Sequence, residues 1–189
     1  MTLALKPRSD LPSPADVLSF WKAAGYDRWY TKDEAFDAEI RQRFLATWEA
    51  ARDGRLDAWQ DSDAGTLALL IVLDQFPRNL FRGDPLAYST DAKARDVARR
   101  ALAEGRDRGI DLVLRQFFYL PFEHSEDHAD QQDCVALFRE LGDAENLRYA
   151  EIHEEIIRRF GRFPHRNAVL GRTTTDDEQI FLDAGGFAG

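Results

Sequence analysis

Thr31-Lys32-Asp33-Glu34-Ala35-Phe36-Asp37-Ala38-Glu39-Ile40-Arg41-Gln42-Arg43-Phe44-Leu45-Ala46-Thr47-Trp48 sets its large apolar residues, Phe36, Ile40, Phe44 and Trp48, four apart. That spacing lines one face of an α-helix and fits no strand, whose faces alternate at every second residue. Asp33 and Glu34 fall in the first turn, where negative charge suits the helix dipole. Gly54 supplies a left-handed stop beyond the last turn.

The same periodicity recurs outward in both directions. Toward the N-terminus, Ser13-Pro14 has the form of an N-cap followed by a first-turn proline, opening a helix that carries Val17, Leu18 and Trp21 toward Gly25. Toward the C-terminus, Asp61-Ser62-Asp63 precedes a buried helix through Leu67, Leu70, Ile71 and Leu73 to Phe76. Ser89, Thr90 or Asp91 caps a helix holding Val97, Ala98, Ala101 and Leu102 before Gly105. The stretch from Asp111 to Phe122 is apolar on most sides, which predicts a central position, with Pro121 interrupting it. Ser125 is the expected cap of a helix through Val135, Phe138 and Leu141 to Gly142, and another helix covers about Glu145 to Phe160. Thr175 with Glu178 three residues later has the form of a capping box for a short last helix.

No segment shows clean alternation bounded by hairpin turn residues, so the fold class is all-α. The connections are short, which makes consecutive helices antiparallel neighbours and the whole a stack of helical hairpins. At 189 residues the chain is sized for one domain, 1–189, with loose ends expected at 1–12 and 184–189.

Hydrophobic residues make up 44% and charged residues 31%, which excludes disorder along the whole chain. A net charge of -9 repels nucleic acid and anionic membrane, so neither is an expected partner. The longest apolar run, Leu67 to Leu73, falls far short of the roughly 20 residues a membrane span needs. Cys134 is the single cysteine, which rules out an internal disulfide and fits a reducing compartment. Met1 to Asp10 lacks the apolar core of a signal peptide. The expected location is therefore cytoplasmic.

Two segments read almost alike: Gln75-Phe76-Pro77-Arg78-Asn79-Leu80-Phe81-Arg82-Gly83 and Arg162-Phe163-Pro164-His165-Arg166-Asn167. Each sets an Arg-Asn pair just past a proline, where a helix must stop or kink because proline has no N–H and crowds the preceding turn. The carbonyls left without partners are suited to arginine and asparagine donors, which can equally hold an anion. The two breaks are expected to form two walls of one polar site. Arg78, Asn79, Arg82, Arg115, His165, Arg166 and Asn167 are its candidate ligand-binding residues, and Asp74 and Glu126 are the carboxylates among them. The same arginines could instead pair with Asp74, Glu123, Glu126 and Asp127 in a structural network.

The densest polar segment runs Arg115-Gln116-Phe117-Phe118-Tyr119-Leu120-Pro121-Phe122-Glu123-His124-Ser125-Glu126-Asp127-His128. A carboxylate beside an imidazole is the pairing from which general acid or base chemistry is built, which makes Glu123 and His124 the candidate catalytic pair. If helical throughout, the segment puts His124 and His128 on one face at metal-ligand spacing. The HExxH order is absent, however, and no metal is expected. Ser125 has no nucleophile elbow around it, and Cys134 sits among Val135, Leu137 and Phe138 as a packed thiol. No phosphate-loop or dinucleotide fingerprint occurs, and no cofactor is expected. Trp21, Trp29, Trp48 and Trp59 are expected in the core, and His153 as a solvated or half-buried helix residue.

The segments SPADVLSFW, RWYTKDEAFDAEIRQRF, ALLIVLDQFPRNLFRGDPLAYSTDAKARDVARRAL, RQFFYLPFEHSEDHADQQDCVALF and RFGRFPHRNAVLGR together resemble the domain-of-unknown-function 924 family over about Ser13 to Phe181. The resemblance implies an all-helical fold similar to tetratricopeptide-like helical-hairpin arrays, in a largely bacterial family without an established biochemical role. Its strongest motifs look like Asp74-Gln75-Phe76-Pro77-Arg78-Asn79, Phe122-Glu123-His124-Ser125-Glu126 and Arg162-Phe163-Pro164-His165-Arg166-Asn167, none with a catalytic role to carry over.

The leading expectation is a binding module whose Arg, Asn, His and Glu constellation takes a peptide, a protein partner or a small anionic ligand. The alternative is a small-molecule hydrolase or lyase in which Glu123 and His124 transfer protons and Arg78, Arg166 and Asn167 position an anionic substrate. A third reading makes the constellation a structural network with function elsewhere.

Overall fold

A computed structural model describes residues 11–187, and among them every regular element is helical. Of the loose ends expected at 1–12 and 184–189, residues 1–10 and 188–189 lie outside the described residues. No helix among the described residues is long and apolar enough to cross a membrane. The chain divides into two compact units, one made of the described residues up to Arg82 with Leu86–Phe118, the other of Gly83–Pro85 with the described residues from Tyr119 on.

In the first unit, helix α1 (Pro14–Trp29) opens with a capping box in which Ser13 and Asp16 exchange side-chain and backbone bonds. Its helical geometry is broken at Gly25, whose φ of 74° lies in the left-handed region, and a further turn carries the chain on to Trp29. Helix α2 (Glu34–Arg52) is capped by Asp33, and its stripe of Phe36, Ile40, Phe44 and Trp48 is buried as the spacing predicts. The core contains an aromatic cluster: Trp21 packs against Phe36, Phe76 and Phe117 at ring distances of 6.0, 5.7 and 5.7 Å. Trp29 gives its indole N–H to the Trp21 carbonyl at 2.8 Å, which satisfies the polar edge of a buried ring. Trp59 is the exception among the tryptophans, only half-buried in a short 3₁₀ turn, Asp57–Asp61.

The first proline does not stop its helix. Helix α3 (Asp63–Leu70) passes through a π-helical segment, Ile71–Gln75, and continues as α4 (Phe76–Leu80) with Pro77 in the first turn of α4. Pro77 has no N–H to give the Leu73 carbonyl four residues back, and the wider π turn lifts that carbonyl from the ring. The Thr90 hydroxyl donates to Leu73 O at 2.6 Å and accepts the Trp48 indole N–H at 3.3 Å. Thr90 thus precedes α5 (Asp91–Ala103) at the N-cap position without making a side-chain cap. The expected central helix over 111–122 is also revised. It resolves into α6 (Leu112–Arg115), a 3₁₀ turn and α7 (Leu120–Glu123), with Leu112 and Val113 exposed and Pro121 opening α7 instead of interrupting a helix.

In the second unit, α7 is followed by α8 (His128–Leu141) and α9 (Ala144–Phe160), and the two-residue link Gly142-Asp143 forces α8 and α9 into an antiparallel hairpin. Gly142 adopts φ 77° to close α8, and Asp143 caps α9 through the Asn146 N–H. Asp127, not Ser125, caps α8. The Ser125 hydroxyl instead donates to Asp130 at 2.7 Å and accepts the Asp127 N–H at 3.1 Å. Because α7 ends at Glu123 and α8 begins at His128, His124 and His128 share no helix face. Helix α10 (Asp176–Asp183) has the capping box expected of Thr175 and Glu178.

Candidate functional site

Around the first break every expected donor has an acid. Arg78 donates to the Asp74 carbonyl and to both carboxylate oxygens of Asp91 at 3.1 Å, a fork geometry that lysine could not reproduce. Burial disfavours the Arg78 charge, but Asp91 and Asp74 outweigh it and raise the guanidinium above its ordinary value. Asn79 and Arg82 both turn to Asp37 on α2, at 2.7 Å from the amide and 3.0 Å from each guanidinium nitrogen. These bonds tie α4 to α2 and to the start of α5. Arg115 lies apart from that group and donates to the carbonyls of Arg108 and Ile110. Asp37 and Asp91 are partners that sequence reading missed, since an acid in the first turn of a helix is ordinary.

The second break is built differently. Helix α9 ends at Gly161, φ 67°, ahead of the proline, and Pro164 starts a 3₁₀ turn, Pro164–Arg166. Arg162 grips Glu178 with a fork at 2.6 and 2.8 Å, and Asn167 adds an amide bond to the same carboxylate at 3.2 Å. The Arg162 hydrogen bond holds Glu178 down to about 2. Glu126 accepts the Phe163 N–H at 2.8 Å and a fork from Arg172 at 2.7 and 3.0 Å. Burial pushes the Glu126 carboxyl up, but these bonds win and leave it below the usual range.

The ring of Phe163, fully buried, is the centre of the site. The Arg166 guanidinium lies 4.3 Å over it, His153 meets it edge-on at 5.4 Å, and His165 is tilted against it at 5.6 Å. Arg166 also donates to the His124 carbonyl at 3.0 Å. The Glu123 carboxylate is buried, with one oxygen 3.5 Å from His153 Nδ1 and the other 4.0 Å from Cys134 Sγ. His153 is therefore a buried member of the cluster, contrary to its expected solvated or half-buried place on α9, and nothing in its i to i+4 neighbours announces that.

Burial drives His153 down to about 3, against the Tyr149 carbonyl that holds its Nδ1 at 2.8 Å. Burial and the Arg166 charge bring His165 to about 4. Both rings are neutral near pH 7, each with one N–H and one lone pair, and His153 gives its Nδ1–H to the Tyr149 carbonyl. Burial likewise pushes the Cys134 thiol well up, which makes it a packed, unreactive group. Gln131, fully buried on α8, donates to the carbonyls of Phe122, Glu123 and Ser125 and fixes the turn that carries Glu123 and His124. In this region Gln131 Oε1, Asn167 Oδ1, His165 Nδ1 and Arg172 Nε are buried without a hydrogen-bond partner. Among the described residues no group of three or more His, Cys, Asp or Glu has the geometry to hold a metal ion.

The all-helical fold and these three motif regions belong to a recognisable class. The family model described as bacterial protein of unknown function (DUF924) matches residues 17–186, and the chain belongs to that family. Its fold is similar to the solved structure of a protein of unknown function from Agrobacterium tumefaciens, with 46% identity and a TM-score of 0.89 over 91% of this chain and 97% of that one. No curated protein matches the sequence.

Proposed function

We propose that this protein is a tetratricopeptide-like binding module whose site is the Phe163 cluster of the second unit, and that it takes a small anion of the carboxylate or phosphate class. The observation that supports this reading is His165. Its ring is neutral and its Nδ1 is buried without a partner, in the same cluster as the guanidinium that lies 4.3 Å over Phe163. In the tautomer that protonates Nδ1, the ring offers a donor beside the Arg166 charge, a pair that suits an oxyanion. The arginines of the first break fit a structural role better, because each grips a carboxylate of its own unit.

The chain has four histidines, so their ring protons can be followed one by one. Titration of the full-length protein with acetate and with inorganic phosphate should shift the His165 resonances saturably and leave those of His128 in place. Arg166→Lys, which keeps the charge and loses the fork, should weaken that response about tenfold or more. If neither anion moves His165, the proposal fails.

A proton-transfer reading is favoured by one observation, the buried Glu123 carboxylate facing neutral His153. Turnover of a small ester or hydroxy acid that Glu123→Gln abolishes, with the anion response of His165 unchanged, would establish it.

A further inference from the structure

The last described residues take a path that helix packing alone does not require. After α10 the chain turns at Gly185, φ 76°, and Gly186 donates to the Phe181 carbonyl at 3.0 Å. A Cβ on Gly186 would stand 2.5 Å from the Phe181 ring, so only glycine fits that path with the ring where it is. The two glycines lay Phe187 against the site. Its ring meets His153 edge-on at 4.4 Å and His165 at 5.9 Å. It also adds to the apolar cluster of Ile156, Ile157 and Phe163, yet remains half-buried at the edge of that cluster. The backbone of Phe187 acts on the His165 ring as well, opposing the effect of burial.

The pocket that receives this ring is formed by two imidazoles and the apolar edge of Phe163, beside the Arg166 guanidinium. Neutral imidazole faces and edges pair well with a phenyl ring. The chain therefore already lays an aromatic side chain against His153 and His165, beside the surface that the anion reading assigns to a ligand.

We infer that Phe187 is an occupant in cis, and that the ligand the site takes in trans is an extended peptide segment carrying an aromatic side chain, its carboxylate being the anion. This inference rests on the site proposed above and specifies what fills it. Tethering gives the tail an effective concentration on the order of millimolar, so an outside peptide competes poorly until the tail is displaced.

The test uses the full-length protein with Phe187→Ala and, separately, Gly186→Ala, whose new methyl group forces either the tail or the Phe181 ring to move. The probe is a synthetic heptapeptide with the sequence of residues 183–189 and a copy with Phe replaced by Ala. The Phe peptide should bind each variant at least tenfold more tightly than it binds the unaltered protein, shifting the His153 and His165 resonances, and the Ala peptide should not. Equal affinity for variants and unaltered protein, binding that ignores the peptide's Phe, or no binding at millimolar peptide would overturn the inference. A variant that loses its cooperative melt is set aside, and the other decides. The two readings separate cleanly: peptide binding with no response to acetate or phosphate sinks the anion reading alone, and an anion response with no peptide effect sinks the cis occupant alone.

Discussion

The two breaks share the letters Phe-Pro and Arg-Asn, yet one is a seam and the other a cluster. At the first, the helix runs through Pro77, and the cost of the missing N–H is carried by a π turn, the Thr90 hydroxyl and Arg78. There Arg78, Asn79 and Arg82 each end on an acid of a neighbouring helix. At the second, Gly161 ends the helix before the proline, and the freed chain brings His165 and Arg166 onto Phe163. The difference shows that a proline motif does not dictate a stop. Where the preceding residues can widen into a π turn and outside donors are available, the helix survives, and where a left-handed glycine intervenes, it ends and its residues become available for a site.

The contrast can be broken most severely at Asp91. Asp91→Ala should destabilise the first unit by about 3 kcal/mol, because it removes the fork partner of a largely buried Arg78 and leaves only Asp74 beside its charge. Urea denaturation with fluorescence of the first-unit tryptophans would measure it, and a loss under 1 kcal/mol would show that the seam does not depend on this pair.

Acid should act in the opposite place. His153 has an ordinary value near 6.5 when unfolded and about 3 when folded. Between those values the unfolded chain binds a proton that the folded chain refuses, so stability is full above about pH 6.5 and falls as pH drops toward 3. The slope for one such histidine is about 1.4 kcal/mol per pH unit, or about 2 kcal/mol by pH 5. His165 adds to it in the window from 6.5 to about 4. Hydrogen exchange at pH 7 and pH 5 should show the loss in α9 and the Pro164–Arg166 turn first. Equal loss in α3 and α4 would contradict the assignment.

The smallest effect is expected at Gly161. Gly161→Ala places a side chain at φ 67° with no heavy atom within 4 Å of the new methyl group, so only backbone strain opposes it, about 1 kcal/mol. A change in thermal melting of a few degrees would agree with that size. A loss of several kcal/mol would mean that the end of α9 is held by more than its glycine.

Much of the helical framework was legible because it depends on local rules. The stripe of Phe36, Ile40, Phe44 and Trp48, the Ser13-Pro14 start, the stops at Gly105 and Gly142, and the Thr175–Glu178 capping box each follow from neighbours a few residues apart. Pro77 and Pro121 were misread because their outcome depends on partners far along the chain or on what the helix before them can do. The site was legible as a set of residue types more than as a geometry. Glu123 was recognised, but not the His153 imidazole that a separate helix, thirty residues on, sets 3.5 Å from it. Arg78 was recognised, but Asp91 and Asp37 decided what it and its neighbours do.

The sequence by itself determined the all-helical class, most helix ends and the presence of an arginine, histidine and carboxylate concentration, since periodicity and capping act over one or two turns. Only the tertiary structure decided which acid each arginine meets, that Pro77 lies within a helix, and that His153, His165, Arg166 and Phe187 gather on Phe163. Those outcomes are set by burial and by long-range pairing, and burial strengthens each charge interaction while penalising every polar group left unmatched.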